Sequence, residues 1–169
     1  MFFSLKEKQL RLDNLVFFWY NSVGGNMQER FKQKVTVGLI LINKQREVLL
    51  QKRCNTGYMD GMYALVAGHL EANESMVSGI IRETKEEIGI ELNKEDVSFV
   101  CLIRSGNDNY INTYFKCENF NGVVINEEIE KCSELKWFSI NNLPENIILN
   151  DKRAIDNMIN NIVLDEYNF

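Results

Sequence analysis

Residues 34–42, "KVTVGLILI", are β-branched and apolar with few polar breaks, the pattern of a strand buried on both faces. After a short polar turn, residues 46–53, "REVLLQKR", read as its hairpin partner. "CNTGYMDGMY" carries two glycines and reads as a loop, and residues 63–67, "YALVA", form a short strand running into Gly68. The apolar period then changes. Val77, Ile80, Ile81, Thr84 and Ile88 fall on one arc at roughly 100° per residue, predicting a helix over 75–88. Ser75 is its N-cap and Gly89 sits in the position of a left-handed C-cap. Residues 96–105 and 110–117 read as two paired strands, and 133–140 as a further strand closed by Leu143 and Pro144. Asn150 or Asp151 caps a last helix, with Ile155, Met158, Ile159 and Ile162 at helical spacing. Strands interleaved with two helices predict an α/β protein, an α/β/α sandwich with a mixed central sheet covered on both faces.

Residues 1–26 stand apart, with an aromatic cluster, "LVFFWY", followed by "SVGG". Residues 27–169 read as a self-sufficient domain. The codons of Gly24 and Gly25 can spell a purine-rich ribosome-binding stretch with Asn26 as spacer, so translation is expected to begin at Met27. The alternative is an N-terminal element whose aromatics pack on the domain or seed a homodimer.

The chain has 169 residues, a net charge of −5 and a pI near 5.0. A weakly acidic surface argues against stable nucleic-acid binding by charge alone. It leaves room for a phosphorylated small substrate, provided cations mediate the contact. The four cysteines form no C-x-x-C pair and read as reduced thiols of a cytoplasmic protein. No apolar stretch approaches a membrane span, so no membrane partner is expected. His69 is the sole histidine, so a histidine triad or zinc site would have to run through it.

On the predicted helix, Glu83, Glu86 and Glu87 are related by i+3 and i+4 and lie away from the apolar arc, at one edge of the core. Exposed, such pairs repel by only about 0.2–0.5 kcal/mol. At a partly buried edge, two charges about 4 Å apart repel by roughly 4 kcal/mol at an effective dielectric of 20. A cation relieves that repulsion, and oxygen-only ligands favour Mg²⁺ or Mn²⁺ over zinc.

These residues sit inside a longer pattern. Residues 68–90 fit G-x5-E-x7-R-E-U-x-E-E-x-G-U, with U aliphatic, at Gly68, Glu74, Arg82, Glu83, Glu86, Glu87, Gly89 and Ile90. Thr84 departs from it, standing where an aliphatic residue is usual. Seven polar or glycine matches at fixed spacing arise by chance on the order of once per million chains of this length. The stretch resembles the Nudix box, and the wider likeness, including "KWFSINNLPENI", looks most like MutT-type members acting on nucleotides.

The resemblance implies Mg²⁺-dependent hydrolysis of a nucleoside diphosphate linked to another moiety. The favoured substrate is a nucleoside triphosphate, such as an oxidised 8-oxo-dGTP, cleaved to monophosphate and pyrophosphate. ADP-ribose or a nucleotide sugar is the alternative; capped RNA is less favoured, and a non-catalytic nucleotide-binding module is a third reading. Glu83, Glu86 and Glu87 would hold the ions with the carbonyl of Ala67 or Gly68. Glu83, then Glu86, is the expected general base. Arg82 would orient a carboxylate through a forked contact with Glu74, while Gly68, Glu74 and Gly89 shape the motif. Glu127, Glu128 and Glu130 are candidates for a further metal-binding carboxylate. Arg53, Tyr63 and Glu128 are expected at the substrate, and Tyr58 and Asp60 lie in the loop leading to the box. Trp137 and Phe138 are expected in the core.

Overall fold

The strands are shared between two sheets. The computed structural model describes residues 31–169, so the expectations for residues 1–26 lie outside the described residues. In chain order the elements are β1 (Lys34–Leu41), β2 (Glu47–Arg53), β3 (Tyr63–Ala64), β4 (Val66–His69), α1 (Met76–Ile88), β5 (Ser98–Ser105), β6 (Tyr110–Cys117), β7 (Cys132–Ser139), α2 (Leu149–Asn160) and β8 (Leu164–Tyr167). A five-stranded sheet runs β4-β1-β6-β5-β8 and a three-stranded sheet runs β3-β2-β7. The larger sheet is mixed: β1 is parallel to β6 and β5 to β8, while β4 and the β5–β6 pair are antiparallel.

The expected β1–β2 hairpin is not formed. The two strands meet only at the bridge between Ile42 and Val48. Between them the Asn43 side chain accepts the N–H groups of Gln45 and Glu47, and Arg46 is left-handed at φ 64. The chain thereby passes from one sheet to the other. β1 is flanked by β4 and β6, and β2 by β3 and β7. Both strands bury side chains on both faces, Leu39 and Leu49 in one cluster and Ile40, Val48 and Leu50 in the other, which is why both read as near-continuous apolar runs.

The run 63–67 is not one strand but two, divided at the buried Leu65, so a single residue steps from the small sheet to the large one. The helix after it follows the local signals. Ser75 Oγ accepts the N–H of Ser78, and Gly89 is left-handed at φ 69. Its residues Ile80 and Ile88 pack with Val37, Leu39, Leu41 and Phe115. On the opposite face Ala154 and Ile155 of α2 join Ile40, Cys101, Ile103 and Tyr114. The two helices therefore cover both faces of the mixed sheet.

α2 begins earlier than expected, with Ile148 as N-cap and no side-chain cap. Asp151 is in its first turn, but the carboxylate is committed to the N–H of Leu65 and the hydroxyl of Tyr114. Ile159 and Ile162 are exposed rather than core. β8 was not anticipated. It lies parallel to β5 as an edge strand, and its exposed Leu164 weakens the apolar alternation that would reveal it. Among the described residues, no helix is long and apolar enough to cross a membrane.

Candidate active site

Arg82 on α1 gathers the carboxylates of the acidic motif. Its Nε and Nη2 donate to the two oxygens of Glu74, each at 3.0 Å, the forked contact expected for this pair. Its Nη1 donates to Glu83 Oε1 at 2.8 Å and to Glu86 Oε2 at 3.1 Å. Glu74 also accepts the N–H of Glu71, which closes the loop before the helix. Glu83 and Glu86 thus share one guanidinium nitrogen. The Glu86 side chain is 56% exposed and that of Glu83 only 13%. A Cβ at position 68 would overlap the Glu83 carboxylate, so glycine there lets this side chain lie against β4.

Glu87 turns inward. Its Oε2 accepts Gln51 Nε2 at 3.0 Å and the N–H of Ala67 at 3.2 Å. Burial pushes its carboxyl up to about 8, with the charges of Glu83 and then Glu128 adding to the effect. β4 is an edge strand, and in extended backbone a residue's N–H and C=O point to the same side. The N–H of Ala67 meets Glu87, Gln51 Nε2 donates to Leu65 O, and Arg82 Nη2 donates to His69 O. The carbonyl of Ala67 therefore faces the glutamates. Gly68 alternates to the other side: the N–H of Leu70, two residues on, donates to Val35 O of β1. Of the two carbonyls considered for a metal, that of Gly68 points into the sheet and that of Ala67 faces away from it.

The loop before β7 brings in a fourth carboxylate. Ile125 N–H donates to Ile88 O and Glu127 N–H to Glu87 O, both at 3.1 Å, fastening the loop to the end of α1. Asn126 Oδ1 accepts the N–H of Glu128 while its Nδ2 donates to Cys132 O. Glu128 lines the cavity; Glu127 and Glu130 do not.

The cavity measures about 860 Å³ and runs between the two sheets. Glu83, Glu87, Glu128, Arg53 and Lys131 line one part of it, and Thr36, Gly38, Asn112, Tyr114 and Asp151 line another. Arg53 Nε donates to Tyr58 O and its Nη2 to Thr56 Oγ1. Tyr58 lines the cavity, whereas Asp60 accepts the N–H groups of Thr56 and Gly57 and closes the turn. Tyr63 is misassigned by the sequence reading. It is buried, its ring packs edge-on against Phe138 at 4.9 Å, and its hydroxyl donates to Glu134 Oε2 at 2.5 Å. Its side chain belongs to the core and not to the cavity wall. His69 lines the cavity beside Tyr110, and Trp137 and Phe138 pack against the core.

The family model for the NUDIX domain matches residues 32–158. The chain belongs to the Nudix family. The NAD-capped RNA hydrolase NudC of Pseudomonas aeruginosa is 29% identical over 109 residues, covering 63% of this chain and 36% of that protein. Nudix hydrolase 8 of Arabidopsis thaliana is 28% identical over 95 residues, 46% of this chain and 26% of that protein. The matches thus span little more than a third, or less, of these curated relatives. A MutT NUDIX hydrolase from Burkholderia pseudomallei superposes with a TM-score of 0.67 at 22% identity, covering 73% of this chain and 96% of that one. A MutT/nudix family protein from Enterococcus faecalis gives 0.67 at 20% identity, with 96% and 75% covered. These likenesses show a shared fold.

In this Nudix chain the one departure from the box is absorbed locally: the buried Thr84 donates its hydroxyl to Ile80 O at 2.6 Å. The acidic wall offers only oxygen donors, and Glu87 is a buried carboxylate crowded by two others, a donor set suited to a hard dication. Among the described residues, no three His, Cys, Asp or Glu side chains form a ready-made metal cage. Protein cations occupy the carboxylates instead, Arg82 on Glu83 and Glu86, and Lys131 on Glu128. Gln51 escaped the sequence reading, although a polar residue at an interior position of an apolar strand was its signal. Lys131 and Asp151 carried no local signal for the site.

Proposed function

We propose that this chain is a divalent-cation-dependent hydrolase that cleaves the diphosphate bridge of a nucleotide. The observation that carries this reading is the meeting of Glu83, Glu87, Glu128 and the outward carbonyl of Ala67 at one cavity wall lined also by Arg53. Mg²⁺ or Mn²⁺, when bound, supplies positive charge that acidifies water and offsets the charge of phosphate oxygens. Glu83 is the base that takes the proton from water, with Glu86, held on the same Arg82 nitrogen, as the second candidate. Arg82 is a positioning residue, fixed by Glu74 and setting the direction of both carboxylates. Gln51 orients Glu87 from the neighbouring sheet. Arg53 directs its guanidinium to phosphate, and the nucleoside lies over Gly38, Asn112 and Tyr114.

The substrate favoured is a nucleoside triphosphate, released as monophosphate and pyrophosphate. A dinucleotide is the second reading, supported by the curated relatives named as NAD-capped RNA hydrolases. The test is a panel of nucleoside triphosphates, 8-oxo-dGTP, ADP-ribose, nucleotide sugars and NAD, each with Mg²⁺ and with products separated by chromatography. Pyrophosphate from a triphosphate supports the first reading, and two monophosphates from NAD the second. Folded, metal-bound protein that turns over nothing in the panel would leave a nucleotide-binding module.

A further inference from the structure

A cation already sits at the acidic wall, and it belongs to the protein. Lys131 Nζ lies 2.5 Å from Glu128 Oε1. The turn between them is built: Glu128 O accepts the N–H groups of both Lys131 and Cys132, at 2.9 and 2.8 Å. Asn126 clasps the same turn, and the loop is fastened to Glu87 and Ile88 at the end of α1. The Lys131 backbone is therefore fixed beside the wall, and the charges of Glu87 and Glu83 act on its ammonium as well as that of Glu128. Arg82 is different. It is forked onto Glu74 and bonded to Glu83, Glu86 and His69 O, so it has no freedom to leave. Among the described residues Lys131 has one acidic partner, and it has a side chain 61% exposed and a flexible stem.

We infer that Lys131 is an internal counter-ion: it holds Glu128 at the cavity wall until a dication arrives, then yields the carboxylate, and so sets the metal concentration at which the site fills. This inference rests on the metal-dependent reading above. A dication carries twice the charge of an ammonium and would compete with Lys131 for Glu128, so the cost of displacing Lys131 would be subtracted from the metal's affinity. Lys131 is thus a positioning residue acting through Glu128.

The test is binding of Mn²⁺ to the full chain, followed by loss of the free-ion electron paramagnetic resonance signal. Lys131→Met is expected to lower the Mn²⁺ Kd by about tenfold, the counterpart of removing one nearby positive charge. Lys131→Arg, which keeps the charge, is expected to stay near wild type. In a Glu128→Gln background the Lys131→Met gain is expected to shrink to the part that acts through Glu87 and Glu83, because the carboxylate it released is gone. Thermal melts check that each variant is folded. If folded Lys131→Met binds Mn²⁺ no more tightly than wild type, while wild type binds Mn²⁺ and turns over nucleotide, the counter-ion role is overturned and the hydrolase reading stands. A wild-type protein that neither binds Mn²⁺ nor turns over any nucleotide overturns both.

Discussion

Asp151→Asn is expected to stabilise the fold at neutral pH and to remove part of its pH dependence. Asp151 is 6% exposed and accepts two hydrogen bonds, from Leu65 N–H and from the Tyr114 hydroxyl, both at 2.9 Å. Burial pushes its carboxyl up to about 6, against the opposing pull of those two bonds and of the Arg53 charge. In the unfolded chain the same group ionises near 3.8. Between these values the folded state keeps a proton that the unfolded state has lost. The stability from this group is therefore fully present below about pH 4 and is lost as pH rises through 6. The whole shift corresponds to about 3 kcal/mol, and the window from about pH 4 to about pH 7 covers about 2 kcal/mol of it. Asparagine preserves the shape: Oδ1 can accept from Leu65 while Nδ2 donates to the Tyr114 oxygen. Urea unfolding of both proteins across that window gives the difference in stability, in which other titrating groups such as Glu87 cancel. The variant's advantage should grow by about 2 kcal/mol between the two ends. A difference that stays flat, or a variant less stable than wild type at neutral pH, refutes the reasoning.

Glu83→Gln keeps the volume and an acceptor for Arg82, so the melting temperature should hold while kcat on whichever substrate the panel identifies falls by about 10³; unchanged turnover would move the base elsewhere. Gly68→Ala places a methyl where the Glu83 carboxylate lies, and displacing that side chain should reduce kcat/KM by about 10² in a protein that remains folded by circular dichroism. Tyr63→Phe removes the hydrogen bond to Glu134 and should destabilise the fold by about 1 kcal/mol with KM unchanged; a raised KM would return this ring to the substrate.

What was legible in the sequence was local. Ser75 and Gly89 mark the ends of α1 through their own backbone chemistry, and the spacing of Gly68, Glu74, Arg82 and Glu83 lies within one loop and one helix. What escaped depends on partners distant in the chain. Nothing near residue 49 says that β2 will choose β7 over β1. An aspartate at the start of a helix reads as a cap, and only the arrival of Leu65 and Tyr114 reveals its other use. Tyr63 sits close to the acidic motif along the chain, yet strand alternation turns it towards Glu134 and Phe138. Glu128 was expected at the substrate, but as a metal carboxylate it stood equal with Glu127 and Glu130; the loop's contacts with the end of α1 place Glu128, of the three, on the cavity wall.

The bond between the Leu65 amide and Asp151 spans 86 positions. At about 5–20 residues per second, a ribosome adds the acceptor roughly 4–17 s after the donor. The bond from Ala67 to Glu87 spans only 20, so this part of the acidic wall has its partners early in translation, and the loop of Glu128 follows before the last helix. The seam beside Tyr114 must stay wet until the carboxy-terminal helix has been synthesised. A nascent chain arrested before that helix would hold a finished acidic edge next to an open interior, which is the side from which chaperones or proteases would first engage it.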